Sequence, residues 1–314
     1  MNERGPMKKN YDPLLHADDY QSYYDMQDDV LEWWYEEYDK LDSIPLWKEG
    51  CPDFREEYGL RQPSLAFLPY QGEESPKGVV LVSAGGAFLY KAHHEGICVA
   101  ERFAREGYLG AVLDYRVFPY TQFDAMHDVN RAVRLLRSMA AEYGYPQDNI
   151  ALVGFSAGGH ASLLGGVYHD EGDLKAVDPV ERYPSRPGAI ISCYSAFNYV
   201  DLPMTDIMEI MLGKNNNEQD RDALSVARHI PEKMPPVFLW ASGHDSLIDP
   251  RHSMNLAECL CKAGIPFELH IFDGGEHGIG LADETNIEKD YSDAHVGRWV
   301  DLCLEWLGGK FSQR

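Results

Sequence analysis

The sequence lacks the features that mark several classes of protein. No stretch approaches the ~18 apolar residues that a membrane-spanning helix needs. The first residues are polar and charged, without the apolar core of a signal peptide. The six cysteines form no Cys-x-x-Cys pattern and lie mostly inside apolar runs. We therefore expect reduced thiols in a cytoplasmic protein that does not associate with a membrane.

Positive charge is also scarce. The chain carries 28 lysines and arginines against 51 aspartates and glutamates, which gives a formal net charge of −23. Such a surface repels the phosphates of nucleic acids and of anionic lipids, so neither is expected as a partner. The charge itself favours solubility. Composition does not decide the oligomeric state, and association into a homo-oligomer is left open.

The most informative motif in the chain is the sequence GFSAG at residues 154–158. An apolar run leads into it, and small apolar residues typical of a buried helix follow. This is the pattern of a nucleophile elbow, in which a serine is held at positive φ between a strand and a helix. A Cβ at Gly154 or Gly158 would collide with the crossing backbone. Ser156 is thus the candidate nucleophile, and the Ala157 N–H at the helix start is a candidate donor to an oxyanion.

From residue 64 onward, apolar runs of strand length alternate with helical patterns. The predicted strands are Ser64–Tyr70, Gly78–Ser83, Gly110–Tyr115, Ile150–Phe155, Ala189–Tyr194, Pro236–Ala241 and Phe267–Phe272. Helices are predicted at Ala92–Glu106, Gln122–Tyr143, Ser253–Ala263 and Ala294–Leu307. The alternation predicts an α/β fold with a mostly parallel sheet flanked by helices.

Two segments interrupt this alternation. Residues 1–60 form an acidic, aromatic N-terminal extension ahead of the domain at residues 61–314. Disordered acidic tails are poor in aromatic residues, so we expect the extension to fold onto the domain or a subunit neighbour, with part of it helical. One of Trp33, Trp34 or Tyr35 is a candidate wall of the substrate site. Residues 197–235 are predicted to be an inserted lid.

A serine nucleophile needs a base, and the base needs an orienting carboxylate on a loop after a later strand. After the predicted strand 236–241 two aspartates compete. Asp249 precedes a proline and a helical stretch and is well explained as a helix cap, so Asp245 is preferred as the acid. His277, in the glycine-rich loop after the last predicted strand, is the candidate base. His160, four residues beyond the serine, is assigned to packing.

A second donor to an oxyanion is expected from a glycine-rich loop after an early strand. The sequence AGGAF at residues 84–88 follows the predicted strand 78–83, and glycine there lets backbone N–H groups approach a substrate oxygen. A plain strand-to-helix turn is the alternative. The residues predicted to contact substrate are Gly85, Phe88, Trp33 and Trp34. The compact trio His93-His94-Glu95 does not resemble a metal site, and neither a metal nor a cofactor is expected.

These motifs together resemble the α/β-hydrolases of the esterase/lipase type, and among them the acetylxylan-esterase-like BD-FAE group. The resemblance is carried by residues 84–88, 104–108, 113–117, 154–160, 245–250 and 275–278, and it covers roughly residues 64–310. It implies a triad of Ser156, Asp245 and His277, with the amides of Gly86, Ala87 and Ala157 as oxyanion donors. The chain departs from the usual pattern at Ala84, where the group has proline or histidine, and at Ala87, where it has a third glycine.

The function that the resemblance implies is a serine esterase that removes short acyl groups, above all acetyl, from oligosaccharides or small molecules. A peptidase of the prolyl-oligopeptidase kind shares the elbow, but about 60 residues are too few for the propeller that precedes it in such enzymes. A binding protein without catalytic activity on the same fold is the other alternative.

Overall fold

The computed structural model describes residues 21–204, 212, 216–285 and 292–312. Within these ranges eight strands form one sheet in the spatial order β1-β2-β4-β3-β5-β6-β7-β8. Strands β3 to β8 run parallel to one another, and β1 and β2 add antiparallel pairs at one edge. The strands are β1 Asp42–Pro45, β2 Ser64–Phe67, β3 Val79–Ser83, β4 Leu109–Asp114, β5 Ile150–Phe155, β6 Ala189–Cys193, β7 Val237–Ser242 and β8 Phe267–Phe272.

Helices lie on both faces of this sheet. They are α1 Gln21–Tyr38, α2 Ile97–Ala104, α3 Gln122–Tyr143, α4 Ser156–Val167, α5 Glu218–Leu224, α6 Arg251–Ala263 and α7 Trp299–Ser312. One apolar core cluster includes Val129 of α3, Leu163 of α4 and Leu256 of α6, and the second includes Val99 of α2 and Trp299 of α7. The central strands are buried on both faces, which explains their unbroken apolar runs. The predicted mostly parallel α/β sheet is confirmed.

Two local predictions were wrong. The helix expected from residue 92 is interrupted: a 3₁₀ turn at His93–Glu95 comes first, and α2 begins only at Ile97. Gly96 separates them, and a Cβ there would lie 2.7 Å from the ring of Trp34. The last predicted helix is likewise preceded by a 3₁₀ turn, at Val296–Arg298. In both cases helical spacing of apolar residues identified the segment but not its type of helix.

The described part of residues 1–60 packs onto the sheet. On α1 the buried side chains Leu31, Trp34 and Tyr38 recur at helical spacing and join the two core clusters. Gln27 Nε2 donates to the carbonyl oxygens of Leu89 at 2.6 Å and Phe118 at 2.5 Å. Strand β1 continues the sheet beyond β2. The extension therefore contributes both to the core and to the sheet.

The described parts of the predicted lid pack against α4 and α6. Phe197, Tyr199 and Leu224 are buried, and the Leu224 carbonyl oxygen lies 2.8 Å from Nε2 of His160. The backbone N–H of Phe197 donates to Nδ1 of His252 on α6 at 3.1 Å. Within the predicted lid, residues 205–211 and 213–215, with Met208, Met211 and Lys214 among them, lie outside the described residues. That residues 197–235 form a lid stays a prediction.

Candidate active site

Ser156 lies at the sharp turn between β5 and α4, with a φ of +47°. The two glycines on either side make this turn possible. A Cβ on Gly154 would lie 2.5 Å from the carbonyl oxygen of Gly158, and a Cβ on Gly158 would lie 2.1 Å from that of Ser83. Both clashes involve backbone, which has no freedom to move aside. The close approach of β5, α4 and the end of β3 therefore needs glycine, and it presents the serine at the carboxyl edge of the sheet.

The loops after β7 and β8 bring a carboxylate and an imidazole to this serine. Nε2 of His277 lies 2.9 Å from Oγ of Ser156, and Nδ1 lies 2.8 Å from Oδ2 of Asp245. The other carboxylate oxygen of Asp245 accepts the backbone N–H groups of Leu247 at 2.9 Å and Ile248 at 2.7 Å. The Asp245 side chain is completely covered. The three side chains thus form one continuous hydrogen-bonded chain.

The competing aspartate is engaged elsewhere. Asp249 accepts from the backbone N–H of Arg251, at the first turn of α6, and from the Arg251 guanidinium at 2.7 Å. That side-chain hydrogen bond holds the pKa of Asp249 below its usual value. Two further histidines also have other partners: His244 contacts Asp273 at 2.9 Å, and Nε2 of His160, a buried residue of α4, lies 2.8 Å from the Leu224 carbonyl oxygen. Burial lowers the pKa of His160 to about 4.

The segment after β3, residues 84–90, is called the oxyanion loop here. Three successive residues in it have positive φ: Gly86 at +129°, Ala87 at +53° and Phe88 at +60°. At Gly86 a Cβ would lie 2.3 Å from the carbonyl oxygen of Tyr90, so only glycine fits. Ala157 is the second residue of α4, and the N–H groups of a first helical turn have no partner within the helix.

The predicted substrate-contacting residues are placed in different environments. The Gly85 N–H already donates to Oε2 of Glu95 at 2.7 Å, and Phe88 is buried against Tyr115 and His160. Gly85 thus does not offer its amide to a substrate, and Phe88 presents little surface to one.

The two tryptophans of α1 differ in exposure. Trp34 is 2% exposed and packs in the core, so it is not part of an open substrate wall. Trp33 is 43% exposed, and its ring stacks on His93 with centroids 4.0 Å apart. Burial lowers the pKa of His93 to about 4, and its buried Nε2 has no hydrogen-bond partner among the described residues. The neighbouring His94 lies 2.7 Å from the carbonyl oxygen of Gly278, next to His277. The Trp33–His93 stack therefore lies beside the segment that contacts the His277 loop.

Sequence reasoning missed the role of Glu95. Its carboxylate is 2% exposed and contacts both Gly85 and Tyr194, which lie in separate loops. A charged residue directly after a histidine pair gave a signal, but the partners are 10 and 99 positions away in the chain. Only the fold brings them together.

The described residues also bear on the expectations for metal binding, for the cysteines and for a membrane-spanning helix. Across the described ranges, no three histidine, cysteine, aspartate or glutamate side chains cluster in a way suited to a metal ion. All six cysteines lie within those ranges and have free thiols. None of the helices described is both long and apolar enough to cross a membrane.

The strand order and the elbow are those of an α/β-hydrolase, as predicted. More narrowly, the chain belongs to the BD-FAE family, whose family model matches residues 66–260. The solved structure of an acetyl ester-xyloside bifunctional hydrolase from Caldicellulosiruptor lactoaceticus is 34% identical to this chain in sequence, with a TM-score of 0.78. The match between the two covers 85% of this chain and 96% of the chain of that hydrolase. The resemblance stated from the motifs is confirmed.

Two curated relatives carry names connected with xylan. Endo-1,4-beta-xylanase B of Butyrivibrio fibrisolvens is 26% identical over 91% of this chain and 45% of its own length. Acetylxylan esterase of Xylanibacter ruminicola is 23% identical over 69% of this chain and 43% of its own length. The chain thus spans about half the length of the curated relatives it matches. A match over 91% of the chain must include part of residues 1–60. The acetylxylan esterase and the acetyl ester-xyloside hydrolase support a carboxylic ester hydrolase.

Proposed function

We propose that the protein is a serine esterase that removes acetyl groups from acetylated oligosaccharides. One observation carries the proposal: the unbroken hydrogen-bonded chain from Ser156 through His277 to Asp245, at 2.9 and 2.8 Å. A serine in ordinary packing has no need of an imidazole and a covered carboxylate from two separate loops. That arrangement is the one that activates a hydroxyl for attack.

In the proposed mechanism, Oγ of Ser156 attacks the ester carbonyl while Nε2 of His277 accepts the hydroxyl proton. Asp245 stabilises the imidazolium that forms and fixes Nδ1 as its protonated nitrogen. The tetrahedral intermediate collapses, and His277 returns the proton to the leaving alcohol as the C–O bond breaks. A water molecule, deprotonated by His277, then attacks the acyl-enzyme. The second intermediate releases acetic acid and regenerates Ser156.

The developing negative charge needs donors that are already in place. We assign this role to the backbone N–H groups of Ala157, Gly86 and Ala87. The first-turn position of Ala157 and the successive positive φ values of the oxyanion loop support it. One such donor is worth about 3 kcal/mol of transition-state stabilisation.

The proposed substrate class rests on similarity and on one surface feature. The relatives named acetylxylan esterase and acetyl ester-xyloside hydrolase suggest an acetylated sugar. The exposed ring of Trp33, backed by His93, offers a flat apolar face of the type that sugar rings stack on. Acetyl is favoured over long acyl chains because of the same relatives.

The experiment is a panel of acetylated xylo- and manno-oligosaccharides and p-nitrophenyl acetate, assayed with wild type and Ser156→Ala. We expect acetate release by the wild type and a fall of at least ~10³-fold in the variant. Ser162→Ala is the matched control, because Ser162 is a buried serine on the same helix whose hydroxyl donates to the Gly158 carbonyl oxygen at 2.8 Å. Full activity in Ser156→Ala would overturn the mechanism.

Two further arms of the panel separate the alternatives. Cleavage of an aminoacyl-proline anilide in preference to acetate esters would favour a peptidase. If a fluorophosphonate probe failed to label Ser156 and no ester was hydrolysed, the chain would be a binding protein on this fold.

A further inference from the structure

Beneath the candidate active site lies a buried carboxylate that the proposed mechanism does not use. Glu95 ends the 3₁₀ turn before α2 and is 2% exposed. Oε2 accepts the Gly85 N–H of the oxyanion loop at 2.7 Å, and Oε1 accepts the hydroxyl of Tyr194 at 2.5 Å. A Cβ on Gly85 would lie 2.6 Å from Oε2 and 2.9 Å from Cβ of Ser156, so the carboxylate is close to the nucleophile as well.

Tyr194 continues this connection to the other side of the site. It follows β6 with a φ of +40°, and its hydroxyl accepts the backbone N–H of Gly280 at 3.0 Å. Gly280 ends the segment after β8, residues 273–280, which carries His277 and is called the base loop here. The Tyr194 ring also meets the His277 ring edge-on, with centroids 5.1 Å apart. One hydroxyl thus donates to Glu95 and accepts from the base loop.

We infer that Glu95 and Tyr194 are a pair of positioning residues that set the distance between the oxyanion loop and the base loop. The inference rests on the esterase function proposed above. The donors on one loop must meet the substrate oxygen while His277, on the other, meets Ser156. A carboxylate suits the task because its two oxygens accept from two separate elements at once.

Burial makes this connection rigid. A buried carboxylate without its hydrogen bonds is strongly destabilising, so Glu95 holds both of its donors firmly. Burial and the neighbouring Glu95 carboxylate raise the pKa of Tyr194 well above its usual value, and the hydroxyl therefore stays protonated as a donor. A displacement of about 1 Å between reacting groups lowers the rate on the order of 100-fold. The hydrogen bonds of Glu95 and Tyr194, which fix the two loops relative to each other, therefore matter for catalysis.

The test uses Glu95→Gln, Tyr194→Phe and the double variant in the full-length chain, with p-nitrophenyl acetate as substrate. The amide of glutamine keeps one acceptor but turns an NH₂ group toward the other donor, and phenylalanine removes the bridging hydroxyl. We expect each single variant to lower kcat by about 10- to 100-fold with KM within about twofold of wild type. Because both changes break one connection, the double variant should be no more than about threefold worse than the poorer single variant.

Tyr145→Phe is the matched control. Tyr145 is a buried tyrosine whose hydroxyl donates to the Leu136 carbonyl oxygen at 2.6 Å, on α3 and away from the two loops. It reports the loss of a buried hydroxyl that is not connected to the site. If Tyr194→Phe and Tyr145→Phe gave the same kcat, or if the effects of Glu95→Gln and Tyr194→Phe multiplied, the positioning role would be refuted. Absence of esterase activity in the wild type would instead refute the proposed function.

Discussion

At the level of single residues, the choice between two nearby aspartates shows how far local reasoning reaches. Asp249 precedes a proline and a helix, and in the structure it binds the first turn of α6. The sequence around Asp245 shows no such capping pattern, and in the structure its carboxylate lies 2.8 Å from Nδ1 of His277. The sequence predicted this difference because helix caps leave a local signature. It did not predict Glu95, because the partners of that carboxylate come from distant segments.

The roles of the two aspartates lead to a prediction. In Asp245→Asn the amide oxygen keeps the two backbone N–H donors, and the NH₂ group turns toward Nδ1 of His277. The imidazole must then carry its proton on Nε2, and it cannot accept the proton of Ser156. We expect kcat to fall by about 10⁴-fold, as for the equivalent change in a serine protease triad. The measurement is steady-state hydrolysis of p-nitrophenyl acetate.

Asp249→Asn is the control for this change. It removes a charge from a residue of similar sequence context but leaves His277 untouched, so kcat should stay within about twofold of wild type. The assignment of the acid fails if Asp249→Asn is the more damaging of the two substitutions.

At the level of elements, α1 presents two different faces within one turn. Residues Leu31, Trp34 and Tyr38 recur at intervals of three and four and are buried. This spacing identifies the inward face, and it would have separated Trp34 from Trp33 in the sequence alone. The edge strand β1, with the sequence DSIP, has no apolar run, so periodicity could not reveal it. A helix or strand that buries apolar residues in the core can be predicted from the spacing of those residues. An edge strand such as β1 depends on its contacts with the neighbouring strand.

The two faces of α1 predict opposite effects of two substitutions. Trp33→Ala removes an exposed ring, and we expect kcat/KM for acetylated oligosaccharides to fall about 10-fold while p-nitrophenyl acetate is unaffected. Trp34→Ala leaves a cavity in the core and should lower the free energy of unfolding by about 3–5 kcal/mol. Urea denaturation and the two kinetic assays measure these quantities.

Glu36→Ala is the matched control, because Glu36 is an exposed residue on the same helix. Both its stability and its activity should stay close to wild type. An equal loss on both substrates in Trp33→Ala would show that Trp33 supports the site generally and does not contact sugar.

At the level of the whole molecule, the sheet explains why three distant segments meet. The loops after β5, β7 and β8 all leave the carboxyl edge of parallel strands, so Ser156, Asp245 and His277 come to the same side. The order of these residues along the chain therefore predicts their meeting once the strands are recognised. The contacts of histidines outside the site do not follow from this rule, because they depend on which helices pack together.

Two of those histidines make the stability of the fold depend on pH. His160 and His252 are buried, and desolvation lowers the pKa of each to about 4. In the unfolded chain a histidine has a pKa near 6.5, so the unfolded state binds more protons between about pH 6.5 and 4. The stabilising contribution of each neutral imidazole is present above pH 6.5 and is lost as the pH falls toward 4.

His252→Asn tests this linkage. Nδ1 of His252 accepts the backbone N–H groups of Phe197 and Asn198 at 3.1 and 3.3 Å, and the Oδ1 of asparagine can take its place without titrating. The drop in unfolding free energy from pH 7.5 to pH 5 should be smaller in the variant by about 2 kcal/mol. Urea titrations at the two pH values measure it, with His244→Asn as a control at an exposed histidine. An identical drop in wild type and His252→Asn would mean that His252 is not held neutral by the fold.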